Sequence, residues 1–189
     1  MNLFSKFTLI CLTSVLLAAC GGGSDQIVSQ APQNAPATQM PQTAKPMPPI
    51  NENNLTWRLV NGRTEKLDYH KGKAVILDFW ATYCPPCEEG IPHFVELSQK
   101  YKNDLHVVGL HVGGEADKPK IIDFVTKYRM SYDLGYPNQA LTDFYLQGDD
   151  RIPQTLVFDR NGKLVKKFVG FTPEIKSEID DAVQTAMRN

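Results

Sequence analysis

Cysteine is scarce in this chain: four among 189 residues, at positions 11, 20, 84 and 87. That excludes a small scaffold stapled by disulfides, so the fold must rest on an ordinary hydrophobic core. An excess of one charge is missing too. Twenty Lys and Arg face 21 Asp and Glu, for a net charge of −1. No basic footprint for nucleic acid and no polyionic block for an oppositely charged partner exists. A membrane-spanning run is lacking as well. The uncharged apolar stretch after Lys6 is about 13 residues long, short of the ~20 that a bilayer requires. What is present, 42% hydrophobic and 22% charged residues, is enough for one globular domain and something more.

The surplus lies at the start. MNLFSKFTLICLTSVLLAAC has one cation, an apolar run and small residues at its end, the layout of a signal peptide over residues 1–19. Leu17-Ala18-Ala19-Cys20 matches the bacterial lipobox, so Cys20 is expected to carry a lipid after cleavage. Several acyl chains at about 0.8 kcal/mol per CH₂ would hold the protein to a membrane. From Cys20 to residue 50 the chain is rich in Gly, Pro, Gln and Ala, with Asp25 and Lys45 as its only charges, and reads as a disordered tether. Cys84 and Cys87 are then the thiols left to the mature chain.

The folded domain is expected over residues 51–189. LTWRL and TEKLD flank an Asn-Gly turn and read as a hairpin. AVILDFW (74–80) and LHVVGLHV (105–112) are unbroken apolar runs of strand length, the mark of central strands covered on both faces. Helical stripes follow each, over 86–102, with Pro92 as an expected kink, and over 120–130. SYDLGY predicts a short strand and NQALTDFYL a helix. TLVFDR, Asn161-Gly162 and KLVKKFVG predict a second hairpin. Thr172 caps a last helix with Pro173 at its first position and Ile175, Ile179 and Val183 along one side. Strand–helix–strand–helix followed by hairpin–helix predicts an α/β three-layer fold around a mixed central sheet.

The chemistry concentrates in ATYCPPCEEGIPHF, residues 81–94. A Cys-x-x-Cys between a buried strand and a helix puts Cys84 at the helix N-terminus. There free N–H groups and the helix dipole favour a thiolate. Cys87 sits one turn in, where it can resolve a mixed disulfide. A metal site is the rival reading. Zinc takes four ligands and this motif supplies two. The histidines at 70, 93, 106 and 111 stand at no recognisable ligand spacing from it, so no metal is expected, although thiolates also suit copper(I). Asp78, inside AVILDFW, is costly to bury unless used. Burial disfavours its charge and raises its pKa.

DFWATYCPPC, Pro92 five residues after Cys87, and RIPQTLVFDRNGKLV together resemble thioredoxin-like proteins of the TlpA/ResA group over about residues 55–187. The resemblance implies a thioredoxin-like fold with an N-terminal hairpin and the group's extra segment between the second and third core strands. It implies an exported, membrane-tethered thiol–disulfide oxidoreductase, most simply a reductase. A disulfide oxidase or isomerase, and a copper metallochaperone, stay open as alternatives. Cys84 would attack and Cys87 resolve. Pro153 would be a cis-proline facing them, Ile152 would offer backbone hydrogen bonds to substrate, and Phe79 and Trp80 would form an aromatic shoulder, with Trp80 touching substrate. No cofactor beyond the redox-active cysteine pair is implied. The implied partners are oxidised envelope proteins and a DsbD/CcdA-like membrane electron donor, with the domain a monomer on its lipid anchor. Gly21 after Cys20 favours the outer membrane if the cell is Gram-negative. Two positions depart from the group. Gly90 replaces a glutamate common in the ResA branch, and Asp78 stands where thioredoxin has its buried aspartate, which makes it a candidate general base for Cys87. Arg151 reads as a solvated loop arginine.

Overall fold

The computed structural model describes residues 54–189. The signal peptide, Cys20 and the tether lie outside the described residues. Seven strands form one sheet: β1 (Trp57–Leu59), β2 (Thr64–Glu65), β3 (Ala74–Trp80), β4 (Leu105–His111), β5 (Asp133–Pro137), β6 (Gln154–Phe158) and β7 (Leu164–Val169). Their order is β2-β1-β5-β4-β3-β6-β7. β3, β4 and β5 run parallel, and β1, β2, β6 and β7 pair antiparallel at the two sides. Four helices complete the fold: α1 (Pro85–Lys100), α2 (Ile121–Tyr128), α3 (Gln139–Leu146) and α4 (Pro173–Arg188). This is a thioredoxin-like α/β fold with a mixed central sheet. None of the described helices is long and apolar enough to cross a membrane.

All seven residues of β3 are buried because strands flank it and helices cover both its faces. Strand alternation divides the core in two. Ala74, Ile76 and Trp80 point to one face, with residues of α1, α2 and α4. Val75, Leu77 and Phe79 point to the other, with Leu141 and Leu146 of α3 and the N-terminal hairpin. Both hairpins turn at the expected Asn-Gly pairs, where Gly62 and Gly162 adopt φ of +89° and +81°. Only glycine takes that conformation without strain. The first hairpin is shorter than its sequence pattern suggests. After Glu65 the chain leaves the sheet into a 3₁₀ turn, Leu67–His70. Pro92 lies inside α1 without ending it. Thr172 accepts a hydrogen bond from the Ile175 N–H at 3.2 Å and so starts α4.

Candidate active site

β3 ends at Trp80, and four residues later Cys84 caps α1. Pro85 occupies the first helical position, where a missing N–H costs nothing. The cap places the Cys84 sulfur among free helix donors, and the Cys87 N–H donates to it at 3.2 Å. Cys84 and Cys87 are joined in a disulfide with their Cα atoms 5.2 Å apart. The expected difference in exposure is small in this oxidised form: Cys84 is 4% and Cys87 2% exposed. The asymmetry lies in the hydrogen bonding. The donor aimed at Cys84 would stabilise charge on that sulfur once the disulfide opens.

Asp78 is fully enclosed. It shares the β3 face of Ile76 and Trp80, the side of the sheet on which the two cysteines pack. Burial pushes its carboxyl up to about 7, against a 3.1 Å hydrogen bond from Thr155 Oγ1 that pulls it down. Its register partner on β4 is Gly109. A Cβ there would come within about 3 Å of Trp80 Nε1, Leu134 and the Tyr132 ring, so the glycine makes room for both rings on Asp78's face. Burial, and then the nearby Asp78 charge, hold the Tyr132 hydroxyl well above its usual range. A carboxyl that titrates near neutrality can both take and return a proton at working pH.

The loop before the cysteines is held from the insert between β4 and β5. The Thr82 N–H donates to Asp117 Oδ2 at 2.8 Å, and the Thr82 hydroxyl donates to Oδ1. His111, the last residue of β4, lies 2.9 Å from the same carboxylate. Burial is the largest influence on Asp117 and would raise its pKa, but the bonds from Thr82 and His111 outweigh it and hold the group at about 2. Gly113 lets this cluster close, since a Cβ there would lie 2.4 Å from Asp117 Oδ2. Thr82, His111 and Asp117 escape sequence reasoning. They come from three segments, and no local spacing links them.

Just before β6, which pairs with β3, the Ile152–Pro153 bond is cis. Ile152 packs against the cluster that contains both cysteines. The buried Gln154 donates to the carbonyls of Asp149 and Arg151, at 2.8 Å each, and pins the loop before the proline. Arg151 forms a two-pronged pair with Asp149 and stays exposed. The aromatic shoulder needs correction. Trp80 is 1% exposed, stacked on Phe124 and edge-on to His111. So enclosed, it has no surface to offer a substrate. Phe79 faces the other core. Next to Cys84, Tyr83 does reach solvent, 62% exposed. At Gly90 the Phe171 ring fills the space, 3.0–3.3 Å from where a Cβ would stand.

A redoxin family profile matches residues 36–183. Thiol-disulfide oxidoreductase ResA of Bacillus cereus is 30% identical over 131 residues, which cover 66% of this chain and 70% of that protein. ResA of Geobacillus thermodenitrificans is 32% identical over 118 residues, 59% of this chain and 63% of its own length, so that alignment spans less than two thirds of the relative. Among solved structures, a thiol:disulfide interchange protein of the thioredoxin family from Chlorobium tepidum superposes with a TM-score of 0.59. It has 26% identity and covers 70% of this chain and 92% of its own. StoA from Bacillus subtilis, at 18% identity and a TM-score of 0.52, covers 67% and 93% and shares the fold.

Proposed function

The chain belongs to the redoxin family, among its ResA-type thiol–disulfide oxidoreductases, and from that we propose that it is an envelope reductase of protein disulfides working through Cys84 and Cys87. One observation carries the reading. The cysteine pair caps α1 on the same sheet face as a buried carboxyl, Asp78, that titrates near neutrality. In the reduced enzyme the Cys84 thiolate attacks a substrate disulfide. A Cys84–substrate bond forms, the substrate's S–S bond breaks, and one substrate thiolate leaves. Asp78 takes the proton from Cys87, whose thiolate then attacks the Cys84 sulfur. The Cys84–Cys87 disulfide forms, the second substrate thiolate leaves, and two electrons have passed to the substrate. Ile152 and Pro153 would line the approach, with the Ile152 backbone available to an extended substrate segment.

Replacing Asp78 with Asn should slow substrate release on the order of a hundredfold and leave the first attack nearly unchanged. Single-turnover stopped-flow measures both steps, and equal release rates would sink the assignment. Equilibration with glutathione tests direction. A potential near the thioredoxin value of about −270 mV supports a reductase, and one near the DsbA value of about −120 mV would make it an oxidase. Lipidation at Cys20 is the basis for placing the protein at the envelope, facing the periplasm or cell exterior. Cys20→Ala should release it from membranes into the soluble fraction, and continued membrane association would overturn the anchor. An electron donor of the DsbD/CcdA kind and oxidised envelope proteins are the partners this reading requires. A Cys87→Ser variant should trap them as mixed disulfides on Cys84.

A further inference from the structure

The other end of the sheet holds a second group of chemically active side chains. Glu65 ends β2, His70 closes the 3₁₀ turn after it, and His106 is the second residue of β4. One ligand atom from each lies within 4.8 Å of the other two. We propose that Glu65, His70 and His106 form a metal site, independent of the cysteines, for a divalent cation of the zinc class, with Asp133 as its outer carboxylate.

The sheet register brings the donors together. Glu65 pairs with Trp57, and Asp133 pairs with Val108, both on the α3 face. His106 points the same way, since its neighbours Leu105 and Val107 belong to the opposite core. The cysteines pack on that opposite core and follow the far end of β3. His106 lies beside Val75, five positions before His111 on β4, or roughly 17 Å along the strand. The chemistry of the set suits zinc: two imidazoles and a carboxylate, three of the four ligands that zinc takes. Glu65 Oε2 lies 3.1 Å from His70 Nε2, close to the ~3.4 Å edge of a zinc tetrahedron. Arg63 holds the other oxygen, Oε1, at 3.1 Å. His106 Nε2 is buried and makes no hydrogen bond, although Asp133 Oδ2 lies 3.5 Å away.

The rings do not yet point at one ion. His70 and His106 stack at 4.1 Å and 14°, so their nearly parallel ring planes do not meet within the ~2 Å reach of a zinc–nitrogen bond. Binding must tilt one of them. Trp57 stacks on His70 at 5.8 Å and will report that motion.

Zinc titration of the oxidised chain carrying Cys11→Ala and Cys20→Ala tests the proposal by calorimetry, because the Cys84–Cys87 disulfide then leaves no thiolate. The expected result is one zinc per chain, a change in Trp57 emission, and cobalt(II) d–d bands without a thiolate charge-transfer band. His70→Asn and His106→Asn should each abolish binding, Asp133→Asn should weaken it about tenfold, and His93→Asn should leave it intact. Absence of zinc binding by the oxidised protein would overturn the proposal, as would binding that survives both histidine substitutions. Melting in EDTA checks that the variants fold. If the histidine variants do not, Glu65→Gln decides, and full affinity in that variant overturns the site. The outcome is separable from the reductase reading, since neither the disulfide nor Asp78 takes part.

Discussion

Two buried aspartates set opposite pH responses. The folded-state pKa of Asp78 is raised from 3.8 to about 7. The folded protein therefore keeps a proton that the unfolded chain releases, and Asp78's contribution to stability is full below pH ~4 and is lost as pH rises through 7. The change is on the order of 4 kcal/mol. Urea titrations of wild type and Asp78→Asn at pH 4 and pH 8 should show the variant gaining relative stability at the higher pH. Asp117 is depressed from 3.8 to about 2, so its contribution is present above pH ~4 and disappears as pH falls through 2, a change of about 2 kcal/mol. Asp117→Asn should flatten that acid limb of the wild-type curve. Gly90 is a matter of space. A side chain there meets the Phe171 ring, so Gly90→Glu should cost about 1–3 kcal/mol by displacing it. A variant as stable as wild type in denaturant titration would show that the ring moves freely. The space beside this helical position is taken by an aromatic contact.

At the scale of elements, the two long helices do different work. α1 presents its N-terminus to the reacting sulfur and carries Pro92 in its interior, where the missing N–H leaves the Glu88 carbonyl without its helical donor. Its register is set by what it buries, Cys87, Ile91, Phe94 and Leu97 on one face, and that packing outweighs the proline. α4 covers the same face of the sheet through Ile179, Ala182, Val183 and Ala186. Ile179 has no exposed surface, so Ile179→Ala should destabilise the domain by about 2–5 kcal/mol. Thr172→Ala, which removes the cap, should cost about 1 kcal/mol. Chemical denaturation separates the two, and a cap loss as large as the core loss would mean that α4 is held from its end and not by its face.

Across the whole molecule, the insert between β4 and β5 is tied to the active-site loop through Asp117, Thr82 and His111. Asp117→Ala should leave both Thr82 donors unpaired, lower stability by about 1–3 kcal/mol, and reduce kcat/KM for disulfide reduction in a protein that still folds. Thr82→Val keeps the backbone bond and should show a smaller loss. Equal activity in wild type and Asp117→Ala would mean that the insert merely covers the sheet.

Sequence alone determined the local elements and the reacting pair. Strand and helix periods follow from side chains a few residues apart, and turn glycines and caps act within a single turn. AVILDFW predicted a strand covered on both sides, and Cys-x-x-Cys before a helical stripe predicted a cysteine cap on that helix. Contacts between distant segments left no such trace. The order of strands decided that Gly109 sits beside Asp78, that Phe171 fills the space at Gly90, and that Trp80 is buried while Tyr83 meets solvent. It also gathered Thr82, His111 and Asp117 beside the disulfide and Glu65, His70 and His106 at the far end of the sheet. Sheet register joins residues dozens of positions apart, and only the packed tertiary structure sets that register.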